Sequence, residues 1–261
     1  MANYIKLIEK EAQQLFDQQK YKEASELFSQ AAAYYQGLGQ HQQAAFMFAS
    51  AAGCLSLKAG EKAVFYYAAT VYEKGAREAE TASDFEYASM LYKHAGTCYE
   101  RDLVFSDLAE CFYRSKECYR KHLGSTLFPW KRAYRKSGTK PKFNFIELNK
   151  RFLDWFSLAF SSVLWGHGER PQRTLILGAF IILASAFFYT QGQVIKNDLV
   201  CKLNLLDAFY FSVVNFTRVG YGEIRPIGFN KGLANLEAII SGIFIIPIFI
   251  TGLCRKYLRF L

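Results

Sequence analysis

The chain has 261 residues, 51% of them hydrophobic, with 32 Lys and Arg against 23 Asp and Glu for a formal charge of +9. That length holds one or two domains, and the composition divides between a polar, Ala-, Tyr-, Gln-, Glu- and Lys-rich first half and a strongly apolar region from Thr174 onward. The opening run MANYIKLIEKEAQQL places Lys6, Glu9, Lys10 and Glu11 where a secretory signal needs an apolar core, so no secretory signal is expected and the first domain stays where it is made. Cys54, Cys98, Cys111, Cys118, Cys201 and Cys254 show no paired metal-ligand spacing and read as small packing residues rather than as a metal or redox centre.

Small and aromatic residues recur in the first half at an offset of four: Ala24 and Phe28, Ala44 and Phe48, Ala63 and Tyr67, Ala88 and Tyr92, Ala109 and Tyr113. The pairs return with a period of about twenty, which is the stripe of a helix repeated along a stack. Breakers fall at Gly37 to Gln40, Ala59-Gly60, Thr81 to Asp84 and Arg101-Asp102, predicting about five antiparallel helices of about fifteen residues. The stretch KYKEASELFSQAAAYYQGLGQHQQAAFMFASAAGCL resembles tetratricopeptide repeats, in particular the SNAP-adaptor branch of that superfamily. The resemblance implies a concave surface for a protein or peptide partner; a self-packed or oligomerising scaffold is the competing reading. His41, His94 and His122 each lack a carboxylate or Cys at a useful spacing, and no nucleophile, metal or phosphate-loop pattern appears, so no enzyme is expected.

Between Arg114 and Lys142 ten basic residues stand against the single acid Glu117. Next to a membrane span, such a segment is read as cytoplasmic retention and attraction to anionic inner-leaflet lipid rather than as a nucleic-acid site. Arg255, Lys256 and Arg259 at the other end agree, so both termini are expected in the cytoplasm of a multi-pass protein of the plasma (inner) membrane. From Asn144 to Trp165 the residues Phe145, Leu148, Phe152, Trp155, Phe156, Ala159 and Val163 share one side of a helix. That pattern predicts an amphipathic helix lying in the inner interface and coupling the two halves. A third span is the rival reading, opposed by Arg151 and Asp154.

Thr174–Thr190 and Ala238–Cys254 each run for seventeen residues without a charge, the short end of a bilayer span, and are read as two membrane helices. Between them lies DAFYFSVVNFTRVGYGEIRP, Asp207 to Pro226. Its aromatic first half reads as a short helix ending at Thr217; Val219-Gly220-Tyr221-Gly222 then alternates glycine with larger residues, so that successive carbonyls can be aimed the same way. Irregular backbone at that depth must line water or be buried in protein, and rings of carbonyls can replace a potassium ion's hydration shell.

These residues resemble the potassium-channel signature, and Arg173 to Arg259 resembles a bacterial two-span channel of the ion-transport-2 type. With the repeat resemblance, the basic run and the apolar stripe read above, the expected layout is an all-α chain: a cytoplasmic tetratricopeptide-like domain (1–123), a basic linker (124–143), a coupling helix (144–168) and, as the channel resemblance implies, a two-span pore-loop domain (169–261). Within the last lie span 1 (173–191), pore helix and filter (205–223) and span 2 (231–254). The channel resemblance further implies a homotetramer whose filter ligands are Thr217, Val219, Gly220, Tyr221 and Gly222, holding potassium ions and no other cofactor. Glu223 falls on the acidic residue after the filter, Gly242 near the family's gating glycine, and Pro247 adds a second bend.

One departure stands out: the family carries threonine before VGYG, and this chain carries Arg218. Four guanidinium groups about 6 Å from the axis, at an effective dielectric near 20, would together oppose a potassium ion by on the order of 10 kcal/mol. Three outcomes stand open. Arg218 pairs with the intramembrane carboxylate Glu237, for which a capping or interhelical hydrogen bond is the competing reading; the arginines hold an anion or shut the pore; or the chain is a non-conducting, membrane-anchored adaptor.

Overall fold

The computed structural model describes residues 2–57, 64–128 and 144–257, which divide into two compact units, 1–160 and 161–261. The first opens with six helices among the described residues: α1 (Ala2–Asp17), α2 (Tyr21–Gly37), α3 (His41–Leu57), α4 (Val64–Thr81), α5 (Phe85–Arg101) and α6 (Phe105–Leu127). Each packs on the next in sequence. That is one helix more than the breaker pattern suggested, and the helices are 16 to 23 residues long, because the break between α1 and α2 carries no Gly or Pro.

Alanine sets the spacing of this stack. Ala24, Ala31, Ala44, Ala51, Ala68, Ala76, Ala88 and Ala95 are fully buried, and without longer side chains there the helices approach closely while Phe28, Phe48, Leu91 and Tyr92 fill the layers between. One core joins α1 to α3 and a second joins α3 to α6. Polar cross-links tie the layers together: Glu78 accepts from Gln36 Nε2 at 2.7 Å and lies 2.7 Å from His41 Nδ1, and Glu73 accepts from the Tyr99 hydroxyl at 2.8 Å. Cys54, Cys98, Cys111 and Cys118 are buried packing thiols, and burial pushes Cys54 up to about 11.

The helix junctions repeat one turn. Gln19, Gly39, Ser83 and Leu103 all have φ between 58° and 70°. At each, the N–H of that residue bonds the carbonyl three back, and the next N–H bonds five back: Gln19 to Phe16 and Lys20 to Leu15, Gly39 to Gln36 and Gln40 to Tyr35, Ser83 to Glu80 and Asp84 to Ala79, Leu103 to Glu100 and Val104 to Tyr99. This paired closure of a helix end requires a left-handed residue, the position glycine usually fills. Three of the four turns lack that glycine, which is why residue identity signalled them poorly.

The basic residues Lys131 to Lys142, the breaker Ala59-Gly60, Ala63, and the side chains of Arg255, Lys256 and Arg259 lie outside the described residues. The next helix, α7 (Phe145–Trp165), buries none of its side chains. The rings of Phe152, Phe156 and Phe160 stack in a row with centroids 6.4 and 6.3 Å apart, and Ile146 and Leu153 are also exposed, so its apolar surface is wider than the stripe read from the sequence.

The left-handed turns make opposite predictions for two exposed positions. Leu103→Gly should stabilise the stack by about 1 kcal/mol, and Gly39→Ala, with open space around the added methyl, should destabilise it by about the same amount through backbone strain alone. Urea midpoints of the helical signal measure both; the same sign for the two would contradict the turn geometry.

Candidate functional site

Among the described residues the second unit contains two helices long and apolar enough to cross a membrane, α8 (Gln172–Tyr189) and the tract Phe229–Cys254. That tract comprises α10 (Phe229–Ile239), a wide π-helical turn (Ile240–Ile245) and the start of α11 (Ile246–Tyr257). Pro247 explains the wide turn. A proline has no N–H to donate and its ring crowds the carbonyl four residues back, so the helix shifts by one register just before it, with Ile246 N–H bonding Ser241.

The chain enters this unit through an elbow at the end of α7. Gly166, His167 and Gly168 have φ of 57°, 59° and 88°, and Arg170 packs over Gly166. Arg173 Nη1 then donates to the Ser162 carbonyl at 2.6 Å and Thr174 Oγ1 to the Leu164 carbonyl at 2.9 Å, so the first turn of α8 satisfies carbonyls at the last turn of α7. Pro171 of the elbow sits against Gly252 of α11.

Between the two apolar tracts a small three-stranded sheet brackets the short helix α9 (Leu205–Phe216), two strands before it and one after. Strands β1 (Val194–Lys196) and β2 (Leu199–Cys201) form a hairpin around Asn197 and Asp198, both left-handed, as a two-residue turn of this twist demands. Strand β3 (Ile224–Pro226) pairs with the free edge of β1, Ile195 opposite Arg225. Asn204 caps α9 by accepting from the Asp207 N–H, and Lys196 Nζ meets Asp207 Oδ2 at 2.6 Å. That carboxylate holds the Lys196 ammonium above its usual value. The hairpin is thereby tied both to the start of α9 and to the segment after Glu223. The Asn-Asp pair was the available signal for this sheet and passed unread.

Glu237 is 2% exposed and is the anchor of the three-helix contact. Its Oε2 accepts from the Tyr189 hydroxyl of α8 at 2.5 Å and from Asn215 Nδ2 of α9 at 2.9 Å; its Oε1 accepts from the Ser212 hydroxyl of α9 at 2.5 Å. Asn215 spends its other N–H on the Ala234 carbonyl at 2.9 Å. The expected Glu237–Arg218 pair is therefore corrected: three neutral donors take the carboxylate, and among the described residues Arg218 forms no ion pair. Neutral donors win because α8 and α9 carry them at the depth of Glu237, whereas Arg218 lies beyond the end of α9.

The backbone at that end is distinctive. Thr217 has φ −78°, and φ is positive at Arg218 (63°), Gly220 (61°) and Gly222 (81°) but not at Val219 or Tyr221. An alternating sign of φ turns successive peptide planes alike, which lines their carbonyls along one side. Arg218 N–H bonds Asn215 and Val219 N–H bonds Val214, the same closure that ends α1, α2, α4 and α5. Arg218 is thus the left-handed residue that terminates α9. Val219 and Tyr221 are 53% and 67% exposed, Thr217, Gly220, Gly222 and Glu223 are exposed too, and nothing lies within 4 Å of a methyl added to either glycine. Gly242 stands in the π-helical turn with the Arg218 guanidinium laid over it: a Cβ there would be 2.8 Å from Nε and 3.1 Å from Nη2. The structure thus brings Arg218 to Gly242 and gives Glu237 to Tyr189, Ser212 and Asn215. Pro247 is exposed one turn further on.

Residues 175–258 match the model of the ion-channel family. The second unit is therefore similar to an ion-channel domain over those residues. A curated relative, the voltage-gated potassium channel Kch of Escherichia coli (strain K12), is 30% identical over 110 residues, which cover 40% of this chain and 26% of the relative. No solved structure matches the chain.

The channel domain rests on its buried carboxylate. Glu237→Ala takes the acceptor from the Tyr189 hydroxyl and from one Asn215 N–H in an apolar surround, while Ser212 keeps the Ile182 carbonyl at 3.0 Å, and should cost about 3 kcal/mol, whereas Glu237→Gln, which keeps an acceptor, should cost about half that. Melting of the full chain in detergent ranks the variants; an alanine variant as stable as the parent would remove Glu237 from this role.

Proposed function

We propose that the chain assembles as a homotetrameric, potassium-type cation channel, with Thr217 to Gly222 as the filter. The observation that carries this reading is the alternation of positive φ at residues 218, 220 and 222 along a strand left open by its own chain. Val219 and Tyr221, apolar or aromatic and exposed, need neighbours, and four copies around an axis supply them while the aligned carbonyls face an ion. The ion-channel match and the likeness to a potassium channel support the choice of cation. Glu223 follows the strand at its outer end, where a ring of carboxylates would concentrate cations.

In this reading α8 and the Phe229–Cys254 tract span the membrane, both termini are cytoplasmic, and the basic tract 114–142 lies against anionic lipid. The helical stack is a tetratricopeptide-like sensor that takes a protein or peptide partner. Its signal reaches the pore through α7 and the elbow, whose Pro171 touches Gly252 near the end of the pore-lining helix, and Gly242 and Pro247 provide the bend. Arg218 modifies conduction without abolishing it. Held to the side at about 10 Å from the axis across water, each guanidinium opposes a potassium ion by about 0.4 kcal/mol, against roughly 3 kcal/mol at about 6 Å in a less polar surround.

The full chain in liposomes should pass potassium in preference to sodium, and Arg218→Thr should raise the flux by about tenfold, the effect of removing four such charges. A tight liposome with both proteins would sink the channel and leave the membrane-anchored adaptor.

A further inference from the structure

We propose that, in the channel inferred above, Gly242 is a positioning residue: it is the seat on which the Arg218 guanidinium is parked, and its lack of a side chain keeps that charge off the conduction path. A glycine in an inner helix is otherwise explained as a hinge, and the two explanations separate on the identity of residue 218.

The geometry is specific. Arg218 is committed to a left-handed backbone because it closes α9, with hydrogen bonds at 3.2 and 3.1 Å on either side of it. Its Cα is therefore not free to reorient, and the side chain must leave in the direction that turn sets. Along that direction it meets the wide turn Ile240–Ile245 at Gly242, where Nε, Nη2 and Cζ all come within 3.2 Å of the place a Cβ would occupy. A real Cβ needs more room than that, so any other residue at 242 lifts the guanidinium away. Glu237, which stands five residues earlier on the same helix tract, offers no alternative berth, since Tyr189, Ser212 and Asn215 already hold both of its oxygens. A displaced guanidinium is left to project from the inner end of the filter strand, into the water that a permeating cation must cross.

The wide turn adds to this. A π-helical turn has a larger circumference than an α-helical one, and here it is placed by Pro247 so that Gly242 falls within it. Pro247 thus shapes the seat and Gly242 vacates it.

The test is a double-mutant cycle on the full chain: the parent, Gly242→Ala, Arg218→Thr and both together, each melted in detergent and each assayed for potassium flux in liposomes. Gly242→Ala in the parent should lower the flux by about tenfold and lower the melting temperature, because four guanidinium groups move toward the axis and lose their packing. In the Arg218→Thr background the same substitution should leave the flux within about twofold and raise the melting temperature, since alanine is the better helix former once nothing occupies the seat. An equal loss of flux and stability with and without Arg218 overturns the seat and leaves a hinge. Silent liposomes for all four proteins overturn the channel reading and the conduction role of the seat with it, while the melting cycle alone still decides whether Gly242 holds Arg218.

Discussion

The channel domain is organised around a carboxylate that cannot reach water. Glu237 sits among helices with one donor from α8 and two from α9, and each of those donors is a neutral group whose loss of hydration has to be repaid by that same carboxylate. The arrangement is mutual: the Tyr189 hydroxyl and one Asn215 N–H would be unsatisfied without Glu237, Ser212 would keep only the Ile182 carbonyl, and Glu237 would be an uncompensated charge without the three. It fixes the rotation of α9 about its axis, because Ser212 and Asn215 are three residues apart and define one face. With that face turned to Glu237, the end of α9, and hence the point where the φ alternation begins, has a determined position relative to the inner helix.

A second regularity crosses the two units. The stack and the channel domain end helices with the same pair of backbone bonds around a left-handed residue, and they fill that residue with Gln, Gly, Ser, Leu and Arg. The hydrogen bonds are made by the backbone and do not depend on the side chain, so each non-glycine residue costs about 1 kcal/mol and little else. In the stack this freedom has no further consequence. At residue 218 it places a cation where the alternation of φ starts, and the conformational requirement that would favour glycine is met by the bulkiest of the five.

These two features explain what could and could not be read from residues alone. The stripes of Ala24 with Phe28 or Ala88 with Tyr92, and the two uncharged runs, are periodic signals of burial and depth, and the helical stack and the apolar helices follow from them. The break at Gln19 was invisible because its turn is written in backbone bonds, not in a glycine. The β-sheet was missed because its strands are three residues each, too short for alternation to register, although Asn197-Asp198 marked the hairpin. Glu237 is recognisable in the sequence as a carboxylate in need of a partner, either Arg218 nineteen positions away or an interhelical hydrogen bond, and the geometry supplies the second through Tyr189, Ser212 and Asn215. Spacing along α9 held the clue: beyond Asp207 in its first turn, Ser212 and Asn215 are polar residues three apart in the apolar body of the helix.

Arg218 also changes what the end of α9 can offer an ion. The carbonyls at a helix C-terminus carry a partial negative charge, equivalent to about half an elementary charge, and a cation within the last turn is favoured there by about 0.3 to 1 kcal/mol. In a channel with a neutral residue at 218 that field would act on the permeating cation. In the proposed channel the Arg218 guanidinium, carried one residue past Thr217, would compete with that cation for the helix end. The arginine would therefore act twice, once through its own charge and once by competing for the helix end, and only the first effect is relieved by moving the guanidinium aside. A seat on Gly242 takes the charge off the axis but leaves it within reach of α9. If the chain forms the proposed channel, its inner mouth would bind cations more weakly than the same scaffold with threonine, because part of the attraction the helix end could supply would go to the arginine.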